Sequence, residues 1–262
     1  MKALVLAAGY GERLTPLTDT IPKPLLEIGG RPLIHYPLLL LRHAGIREVA
    51  INVHHLAGKI EAVLGRGEEL GLAITYSPEP ILLGTGGALL SLRSYFAGES
   101  FLILNGDTIM GLELPAMLAL HRQRGALSTM ALRRTAPPEI YSQIEVDAEG
   151  QIRRMRLLAD RARGRFDDYP AVLDPQIVGD LRPLMYCGAM VCTPAVLDMM
   201  PATPPFSLIA SVLAPMVSRS LPLFGFVHDG FFRTVDDLRS YEQLQAEFAA
   251  SPPKLPYVNQ PE

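Results

Sequence analysis

The sequence has few cysteines and little net charge, and each shortage argues against a class of function. Only two cysteines occur, Cys187 and Cys192, five positions apart in one apolar stretch. A strand would turn them to opposite faces, so the sequence predicts two buried thiols and neither a disulfide nor a metal pair. The formal net charge of -3 argues against nucleic acid as a partner, because nucleic-acid-binding surfaces are normally basic.

Long apolar runs are also missing. None approaches the roughly 18 residues that a membrane-spanning helix needs, and no basic leader precedes the first apolar segment. We therefore expect no membrane partner and a cytoplasmic location. Hydrophobic residues make up 48% and charged residues 19%, a balance typical of folded globular proteins. The sequence predicts a single domain over residues 1–248, with halves at 1–110 and 111–248, and an extended tail over 251–262.

The standard phosphate-binding motifs are absent, although the N-terminal segment comes close to them. Leu4–Leu6 predicts a strand buried on both faces, and Gly9 and Gly11 follow it in a loop. There is no Gly-Lys-Ser/Thr of a Walker loop, and a leucine occupies the third glycine position of the dinucleotide fingerprint. Backbone N–H groups of such a loop, together with Arg13 and Lys23, nevertheless suit a polyphosphate. A plain strand-turn-helix corner is the alternative.

Strand and helix patterns alternate through the first half. Strands are predicted at residues 4–6, 49–53, 73–76 and 101–104, and helices at 32–43 and 56–64. Gly84–Gly87 is expected to break the chain before a further helix that ends near residue 92. This order predicts an α/β fold with a mixed, mainly parallel sheet flanked by helices. Ligands of such sheets bind at the carboxyl ends of the strands.

The pattern is less regular in the second half. Strands are predicted at 126–132 and 186–191, a hairpin over 143–152, and helices at 195–199, 208–217 and 238–248. Six arginines cluster between residues 153 and 165. A solvated helix and loop over residues 153–183 is the first interpretation of this region, and a flap for an anionic ligand is the alternative.

Two carboxylates lie at the ends of predicted strands. Asp107 follows a buried strand, where it can hold Mg²⁺ against ligand phosphates; capping of a following helix is the alternative. Glu79 follows the third strand, and its carboxylate can accept hydrogen bonds from a base. Guanine offers it two N–H groups and uracil or thymine only one, so guanine is favoured if Glu79 contacts a base. As a lone residue, Glu79 would instead be a surface glutamate in a turn.

The adjacent pair His54-His55 is only superficially similar to a metal site. Neighbouring residues of a strand face opposite ways, and no third ligand occurs at a useful spacing. Nucleophilic catalysis has no Gly-x-Ser-x-Gly elbow to support it. We therefore assign neither chemistry to the sequence.

Five segments, taken in order, carry a resemblance to a known family. They are Leu6-Ala7-Ala8-Gly9-Tyr10-Gly11-Glu12-Arg13-Leu14, Pro16-Leu17-Thr18, Pro22-Lys23-Pro24-Leu25, Leu83-Gly84-Thr85-Gly86-Gly87-Ala88-Leu89 and Leu104-Asn105-Gly106-Asp107. The chain resembles the sugar-1-phosphate nucleotidylyltransferases, also called NDP-sugar pyrophosphorylases, from Met1 to about Leu244. The resemblance implies the Rossmann-like nucleotide-diphospho-sugar transferase fold.

It also implies a reaction in which a sugar 1-phosphate oxygen attacks the α-phosphorus of a nucleoside triphosphate and expels pyrophosphate. The implied partners are an NTP and a sugar 1-phosphate, and the implied cofactor is Mg²⁺. The Leu-Gly-Thr-Gly-Gly-Ala-Leu form looks most like guanylyltransferases for mannose or manno-heptose 1-phosphate, so GTP is the expected donor for a cell-envelope nucleotide sugar. Uridylyltransferases, such as those acting on N-acetylmuramate 1-phosphate, and thymidylyltransferases are the alternatives. The resemblance leaves open whether the protein forms a homo-oligomer.

The family's roles transfer to this chain residue by residue. Arg13 would hold the departing pyrophosphate, Lys23 would stabilise charge on the α-phosphate, and Asp107 would be the first metal ligand; these are the three implied catalytic residues. The implied nucleotide-binding residues are Leu6, Ala7, Ala8, Gly9, Gly11, Arg13, Lys23, Glu79, Gly84 and Asn105. Asn105 and Gly188 would bind the sugar phosphate.

The chain departs from the family's pattern at two places. Thr234 stands where the second metal-binding aspartate is expected, and Asp236, two residues on, would face the same side of an extended segment. Asp236 is therefore the expected replacement ligand, and a non-catalytic regulatory relative is the alternative. The family's sugar-phosphate lysine is also missing, and Arg153, Arg154 and Arg156 are the candidates to replace it.

Overall fold

The chain folds into two compact units, each made from separate stretches of sequence. The computed structural model describes residues 1–134, 142–160, 165–170 and 180–258. The first unit comprises Met1–Leu82, Leu102–Leu114 and Gly230–Glu262. The second comprises Leu83–Phe101 and Pro115–Asp229.

Within the described residues, strands and helices alternate along most of the chain. The strands are β1 (Lys2–Leu6), β2 (Glu27–Ile28), β3 (Arg31–Pro32), β4 (Glu48–Val53), β5 (Ala73–Pro78), β6 (Phe101–Asn105), β7 (Thr108–Met110), β8 (Ser128–Arg133), β9 (Gln143–Val146), β10 (Ile152–Asp160), β11 (Arg165–Pro170), β12 (Arg182–Cys192), β13 (Leu223–Val227) and β14 (Phe232–Thr234). The α-helices are α1 (Leu17–Thr20), α2 (His35–His43), α3 (Ala57–Leu64), α4 (Gly84–Ser91), α5 (Arg93–Phe96), α6 (Leu114–Gln123), α7 (Ala214–Ser218) and α8 (Leu238–Ala250). Short 3-10 turns occur at Glu12–Leu14, Lys23–Leu25, Glu68–Leu70 and Pro194–Met199, and a π-turn at Ile209–Leu213.

Four parallel strands form the centre of the first unit, in the order β6-β1-β4-β5. Leu4 lies opposite Ala50 on one side and Ile103 on the other. The side chains of Ala3, Leu4 and Val5 are fully buried, which confirms the predicted strand covered on both faces. Because parallel strands all point the same way, the polar loops that follow them lie along one edge of this sheet.

In the C-terminal part of the first unit, β14 pairs antiparallel with β7 in a separate two-stranded sheet, and Thr234 lies opposite Thr108. Beyond α8, Leu255 is buried, and the buried Tyr257 hydroxyl donates a hydrogen bond to the Met110 carbonyl at 2.8 Å. These contacts hold the segment that contains Asp236 beside the strand that follows Asp107. One predicted boundary was wrong: the second helix begins at His35 and not at residue 32, because Pro32 belongs to β3.

The second unit is mostly antiparallel, with the strand order β11-β10-β9-β12-β8-β13 and a parallel pair at β8–β13. Its β9–β10 pairing confirms the predicted hairpin. The helix-and-loop interpretation of residues 153–183 was wrong where the structure describes them, because β10 and β11 are paired strands there. A bulge between Ile152 and Arg154 breaks the alternation of this strand, so the buried Ile152 and Met155 are three residues apart. Two of the six arginines, Arg161 and Arg163, lie outside the described residues.

The segment Gly84–Gly87 was also misinterpreted. It is the first turn of α4 and not a break before it. Its glycines are required by close packing against the segment Pro204–Leu208, as described below. Glycine lowers helix propensity, and here tertiary packing overrides that preference.

The expected fold class and the prediction for the two cysteines are confirmed. The sheet is mixed, with a parallel first half flanked by helices, as predicted for the fold class. Cys187 and Cys192 are free and buried, and burial raises the pKa of each thiol to about 12. None of the helices that the structure describes has the length and apolar character required to cross a bilayer.

Candidate functional site

A cleft of about 380 Å³ opens at the carboxyl edge of the parallel sheet in the first unit. Pockets for small ligands typically measure about 300–1,000 Å³. The predicted site residues that line this cleft are Leu6, Ala7, Gly9, Gly11, Arg13, Lys23, Asp107 and Asp236. Asn105 is not among the lining residues and pairs with Leu6 at the ends of β6 and β1. The structure therefore brings most of the predicted nucleotide and metal residues together.

Glycine shapes the floor of the cleft where the ends of β1 and β6 meet. The Gly106 N–H donates to the Leu6 carbonyl at 2.9 Å, and a Cβ at Gly106 would lie only 2.7 Å from that oxygen. Above this point the loop is open, because a Cβ at Gly9 would meet nothing within 4 Å. Gly11 has a left-handed φ of 70°, which glycine adopts without strain. The backbone can therefore approach a ligand closely at Gly9.

Two cations face two carboxylates in the cleft. Lys23 forms an ion pair with Asp107, and the Arg13 Nη2 lies 3.5 Å from the Asp236 Oδ1. The Lys23 side chain is 14% exposed and the Arg13 side chain 59%, so the first pair is sheltered from water and the second is screened by it. Each cation thus has a carboxylate partner that a phosphate could replace.

Asp107 and Asp236 occupy different kinds of local structure. Asp107 lies in the tight turn between β6 and β7, so the helix-cap alternative for this residue was wrong. Two residues before Asp236, the Thr234 hydroxyl donates to the backbone carbonyl of Asp107 at 3.5 Å. Asp236 itself lines the cleft. The carboxylate that was expected to compensate for Thr234 therefore lines the same cleft as Asp107.

Glu79 lies behind the loop and is not a surface residue, since only 4% of it is exposed. Its Oε1 accepts a hydrogen bond from the Asn52 Nδ2 at 2.8 Å. The Asn52 Oδ1 in turn accepts from the Ala7 N–H at 2.8 Å. The surface-turn alternative for Glu79 was therefore wrong, and its carboxylate helps to position the loop. Contact between Glu79 and a base stays a prediction.

The two adjacent histidines also contact the loop. His54 Nδ1 lies 2.7 Å from the Glu79 carbonyl oxygen, and its Nε2 lies 2.8 Å from the Tyr10 hydroxyl. His55 Nε2 lies 2.7 Å from the Thr18 carbonyl oxygen. Both imidazoles are thus bonded to protein atoms. The expectation that the two side chains face opposite ways was wrong, because both residues follow the end of β4 and both rings pack against Tyr10.

Two predicted site residues belong to the second unit. Gly84 has a φ of 73°, and a Cβ there would lie 2.6 Å from the Phe206 carbonyl oxygen. Gly188 is a buried residue of β12 with a φ of 80°, within the irregular pairing between Tyr186 and Met190. Both positions therefore have a structural requirement for glycine that is independent of any ligand.

The three candidate arginines differ in what they contact. Arg153 Nε donates to Asp147 Oδ2 at 2.6 Å, and this buried carboxylate also accepts backbone N–H groups of its own turn. Arg156 donates to Gln143 Oε1 at 2.9 Å, and Arg154 lies 3.8 Å from a Glu145 oxygen. All three arginines therefore contact residues of the β9–β10 hairpin, and these contacts do not select one of them as the replacement for the lysine.

Sequence reasoning missed the residues that support the loop from behind. Asn52 could have been found, because a buried asparagine that follows three apolar strand residues needs hydrogen-bond partners. The contact between Tyr10 and His54 joins residues 44 positions apart, and nothing in either residue's local sequence indicates it. Only the fold brings these two side chains together.

Comparisons with known proteins show what the chain is similar to. A family model described as nucleotidyl transferase matches residues 2–156. A UTP–glucose-1-phosphate uridylyltransferase of Synechocystis sp. is 31% identical over 250 residues, which cover 90% of this chain and 60% of the relative. An N-acetylmuramate alpha-1-phosphate uridylyltransferase of Neisseria meningitidis is 46% identical over 117 residues, which cover 44% of this chain and 51% of the relative.

A mannose-1-phosphate guanylyltransferase of Mycobacterium tuberculosis is 34% identical over 150 residues, which cover 57% of this chain and 42% of the relative. The chain therefore spans 60% or less of the length of each of these relatives. Among solved structures, a Bacillus anthracis protein described as a glucose-1-phosphate thymidylyltransferase superposes with a TM-score of 0.76 at 18% identity, covering 94% of both chains. This likeness confirms the expected Rossmann-like nucleotide-diphospho-sugar transferase fold.

Proposed function

The chain belongs to the nucleotidyl transferase family, and we propose that it transfers a nucleoside monophosphate from a nucleoside triphosphate to a sugar 1-phosphate. A sugar-phosphate oxygen forms a bond to the α-phosphorus while the bond from that phosphorus to pyrophosphate breaks. The products are an NDP-sugar and pyrophosphate. Such a reaction needs two anionic substrates held in line with their charge balanced, and it needs no covalent enzyme intermediate.

One observation carries the proposal: an open backbone loop and two cation–carboxylate pairs lie in one cleft. The free space above Gly9 admits phosphate oxygens to the backbone. Arg13 is the more exposed cation and suits the outer, departing pyrophosphate, whereas the sheltered Lys23 suits the α-phosphate where charge develops. Each cation would exchange its carboxylate partner for a phosphate when the nucleotide binds.

Mg²⁺ is the proposed cofactor, and the residues present fit it. Asp107 and Asp236 both line the cleft, and Mg²⁺ at phosphates is usually held by one or two carboxylates together with water and phosphate oxygens. The part of the chain that the structure describes has no group of three or more Asp, Glu, His or Cys side chains placed to hold a metal ion. When bound, the ion would neutralise phosphate charge. Asp107 and Asp236 would hold it, and both are paired with cations that the phosphates can take over.

GTP stays our proposed donor, because the Leu83–Leu89 segment resembles that of guanylyltransferases and a guanylyltransferase is among the relatives. UTP is the second candidate, favoured by the 46% identity to a uridylyltransferase. The burial of Glu79 and its bond to Asn52 weaken the hydrogen-bonding argument for guanine, since the carboxylate already has a partner inside the protein. The choice of donor therefore rests on sequence likeness.

For the acceptor we propose mannose- or heptose-type sugar 1-phosphates, with Asn105 and Gly188 as their contacts. Arg153, Arg154 and Arg156 are the proposed replacements for the family's lysine. A cytoplasmic location and a homo-oligomeric state stay expectations on which this activity does not depend.

A matrix of nucleoside triphosphates against sugar 1-phosphates, with Mg²⁺ present and pyrophosphate release measured, tests the proposal. We expect turnover with one donor, GTP before UTP, and with one class of sugar. If no combination of nucleoside triphosphate and sugar 1-phosphate releases pyrophosphate, the catalytic proposal is refuted. Tight nucleotide-sugar binding in calorimetry without turnover would instead support a non-catalytic regulatory protein.

A further inference from the structure

We infer that Tyr10 and His54 form a contact pair that keeps the nucleotide loop in its open conformation and thereby sets the affinity for a nucleoside triphosphate. This inference rests on the proposed function, because it assigns Tyr10 to the loop that would receive the triphosphate. His54 is a positioning residue in this scheme, since it acts on the ligand only through Tyr10.

Tyr10 is an unusual residue for its position. It lines the cleft and is 43% exposed, so it is one of the few large hydrophobic side chains on the described surface. Its ring packs edge-on against His54, with centroids 5.1 Å apart, and lies tilted against His55 at 5.6 Å. Its hydroxyl lies 2.8 Å from His54 Nε2. The side chain is therefore held against the two histidines.

The hydrogen bonds of His54 assign its tautomer. Nδ1 faces a carbonyl oxygen, that of Glu79, which can only accept a hydrogen bond, so Nδ1 carries the proton and donates. In the neutral ring Nε2 is then an acceptor, and the Tyr10 O–H is its donor. The backbone of Glu79 thereby orients the imidazole, and the imidazole orients the tyrosine.

The two ends of the loop are held by hydrogen bonds to other residues of the first unit. Asn52 holds the Ala7 N–H, and the Thr18 hydroxyl donates to the Gly11 carbonyl at 3.0 Å. Between these two anchors, Gly9 has no side chain and no neighbour within 4 Å of a built Cβ. Tyr10 is thus the side chain through which the exposed middle of the loop is restrained.

This restraint bears on nucleotide affinity because an ordered loop does not spend binding energy on becoming ordered. A single hydrogen bond of this kind contributes a few-fold to about tenfold in an equilibrium constant. The contact pair lies outside the two cation–carboxylate pairs, so its loss should weaken binding of the triphosphate without slowing the chemical step.

The first test compares Tyr10→Phe with the unchanged protein. The variant keeps the ring and loses only the hydroxyl. We expect the Kd and KM for the nucleoside triphosphate to rise about three- to tenfold, with kcat and the KM for the sugar 1-phosphate unchanged. Hydrogen exchange of the peptide spanning residues 7–14 should become faster even without nucleotide.

Tyr76→Phe is the matched control. The Tyr76 hydroxyl donates to the Gly65 carbonyl at 2.7 Å, and neither residue lines the cleft. The substitution therefore removes an equivalent hydrogen bond elsewhere in the same unit. Nucleotide affinity and exchange of residues 7–14 should both be unchanged.

The second test uses His54. We expect His54→Leu to weaken nucleotide binding, and the double variant with Tyr10→Phe to bind no more weakly than His54→Leu alone, since His54→Leu already removes the hydrogen bond that Tyr10→Phe removes. His54→Gln should recover part of the affinity, because its amide oxygen can accept the tyrosine hydroxyl. A merely structural effect would not be rescued in this way.

Failure of the inference and failure of the proposed function give different results. If the unchanged protein binds no nucleoside triphosphate in calorimetry, the proposed function fails. If it binds, and Tyr10→Phe binds equally well or the two substitutions act additively, the contact pair does not set the affinity and the inference is overturned.

Discussion

The two glycine segments of this chain, Gly9–Gly11 and Gly84–Gly87, differ in what surrounds them. A Cβ at Gly9 would meet nothing within 4 Å. By contrast, a Cβ at Gly84 would lie 2.6 Å from the Phe206 carbonyl oxygen, and one at Gly87 would lie 2.7 Å from Pro204 Cβ. In the first segment Gly9 leaves room that no protein atom fills, although a Cβ at Gly11 would lie 2.9 Å from Thr18 Cγ2, and the second segment is closed by protein atoms.

This difference shows that glycine occurs at the two positions for two different reasons. At Gly9 the missing side chain leaves space for a ligand, so we expect its replacement to affect function. At Gly84 the missing side chain lets two segments pack, so we expect its replacement to affect stability. Motif similarity treats both segments alike, and only their surroundings distinguish them.

The largest effect on turnover is expected at Lys23, which lines the cleft together with Gly9. Lys23→Ala should lower kcat about a thousandfold, because it removes a preorganised positive charge from the transferred phosphate. Steady-state pyrophosphate release would measure this. Lys59→Ala is the control, since Lys59 donates only to the exposed backbone at Thr20. If kcat fell equally in both variants, Lys23 would have no specific role in the site.

Substitution in the packed segment Gly84–Gly87 should lower the stability of the protein. Gly84→Ala is expected to lower the free energy of unfolding by about 3 kcal/mol, because a left-handed φ of 73° and the close Phe206 carbonyl both oppose a side chain. Denaturant unfolding would measure it. Gly45→Ala separates the two causes, because Gly45 has a φ of 79° and no atom within 4 Å of a built Cβ. A cost as large at Gly45 would show that packing contributes nothing.

Gly9→Ala tests the other side of the comparison. We expect turnover to fall about a hundredfold, since a methyl group would displace the phosphates by about an ångström. The midpoint of thermal unfolding should not fall, because Gly9 has no close neighbour and no left-handed φ. A destabilised Gly9→Ala protein would contradict the distinction between the two segments.

The smallest effect is expected at two adjacent aspartates, of which Asp237 should affect stability and Asp236 should affect turnover. Asp237 caps α8 by accepting the Ser240 N–H at 2.8 Å, so Asp237→Ala should lower the free energy of unfolding by about 1 kcal/mol at pH 7. The backbone hydrogen bond from Ser240 lowers the pKa of Asp237. Its contribution is therefore complete above about pH 4, the ordinary aspartate pKa, and is lost as the pH falls through the lower folded-state value.

Asp236→Asn is the counterpart of that variant. Asp236 lines the cleft, and its side chain does not cap α8. Its replacement should therefore reduce turnover and leave the free energy of unfolding at pH 7 nearly unchanged. Pyrophosphate release and denaturant unfolding of both variants would decide the matter. If Asp237→Ala lost the turnover and Asp236→Asn the stability, the assignment of the two residues would be reversed.

The sequence predicts the first unit well because its strands are short, uninterrupted apolar runs that alternate with helical periodicity. The cleft residues Arg13, Lys23 and Asp107 were found because they follow such strands or lie in the loops after them. Prediction failed where tertiary contacts override local pattern, as at the bulge before Arg154 and the packed glycines of α4. It also missed Asn52, whose two partners lie 27 and 45 residues away.

The pairing of β14 with β7 has a consequence for how the protein is made. Thr234 and Asp107 are 127 residues apart in the chain, and the second unit is encoded largely between them. During synthesis at about 5–20 residues per second, the loop, Lys23 and Asp107 would all emerge seconds before Asp236. A nascent chain therefore holds a half-formed cleft, and Arg13 gains its carboxylate partner only after the second unit has been translated.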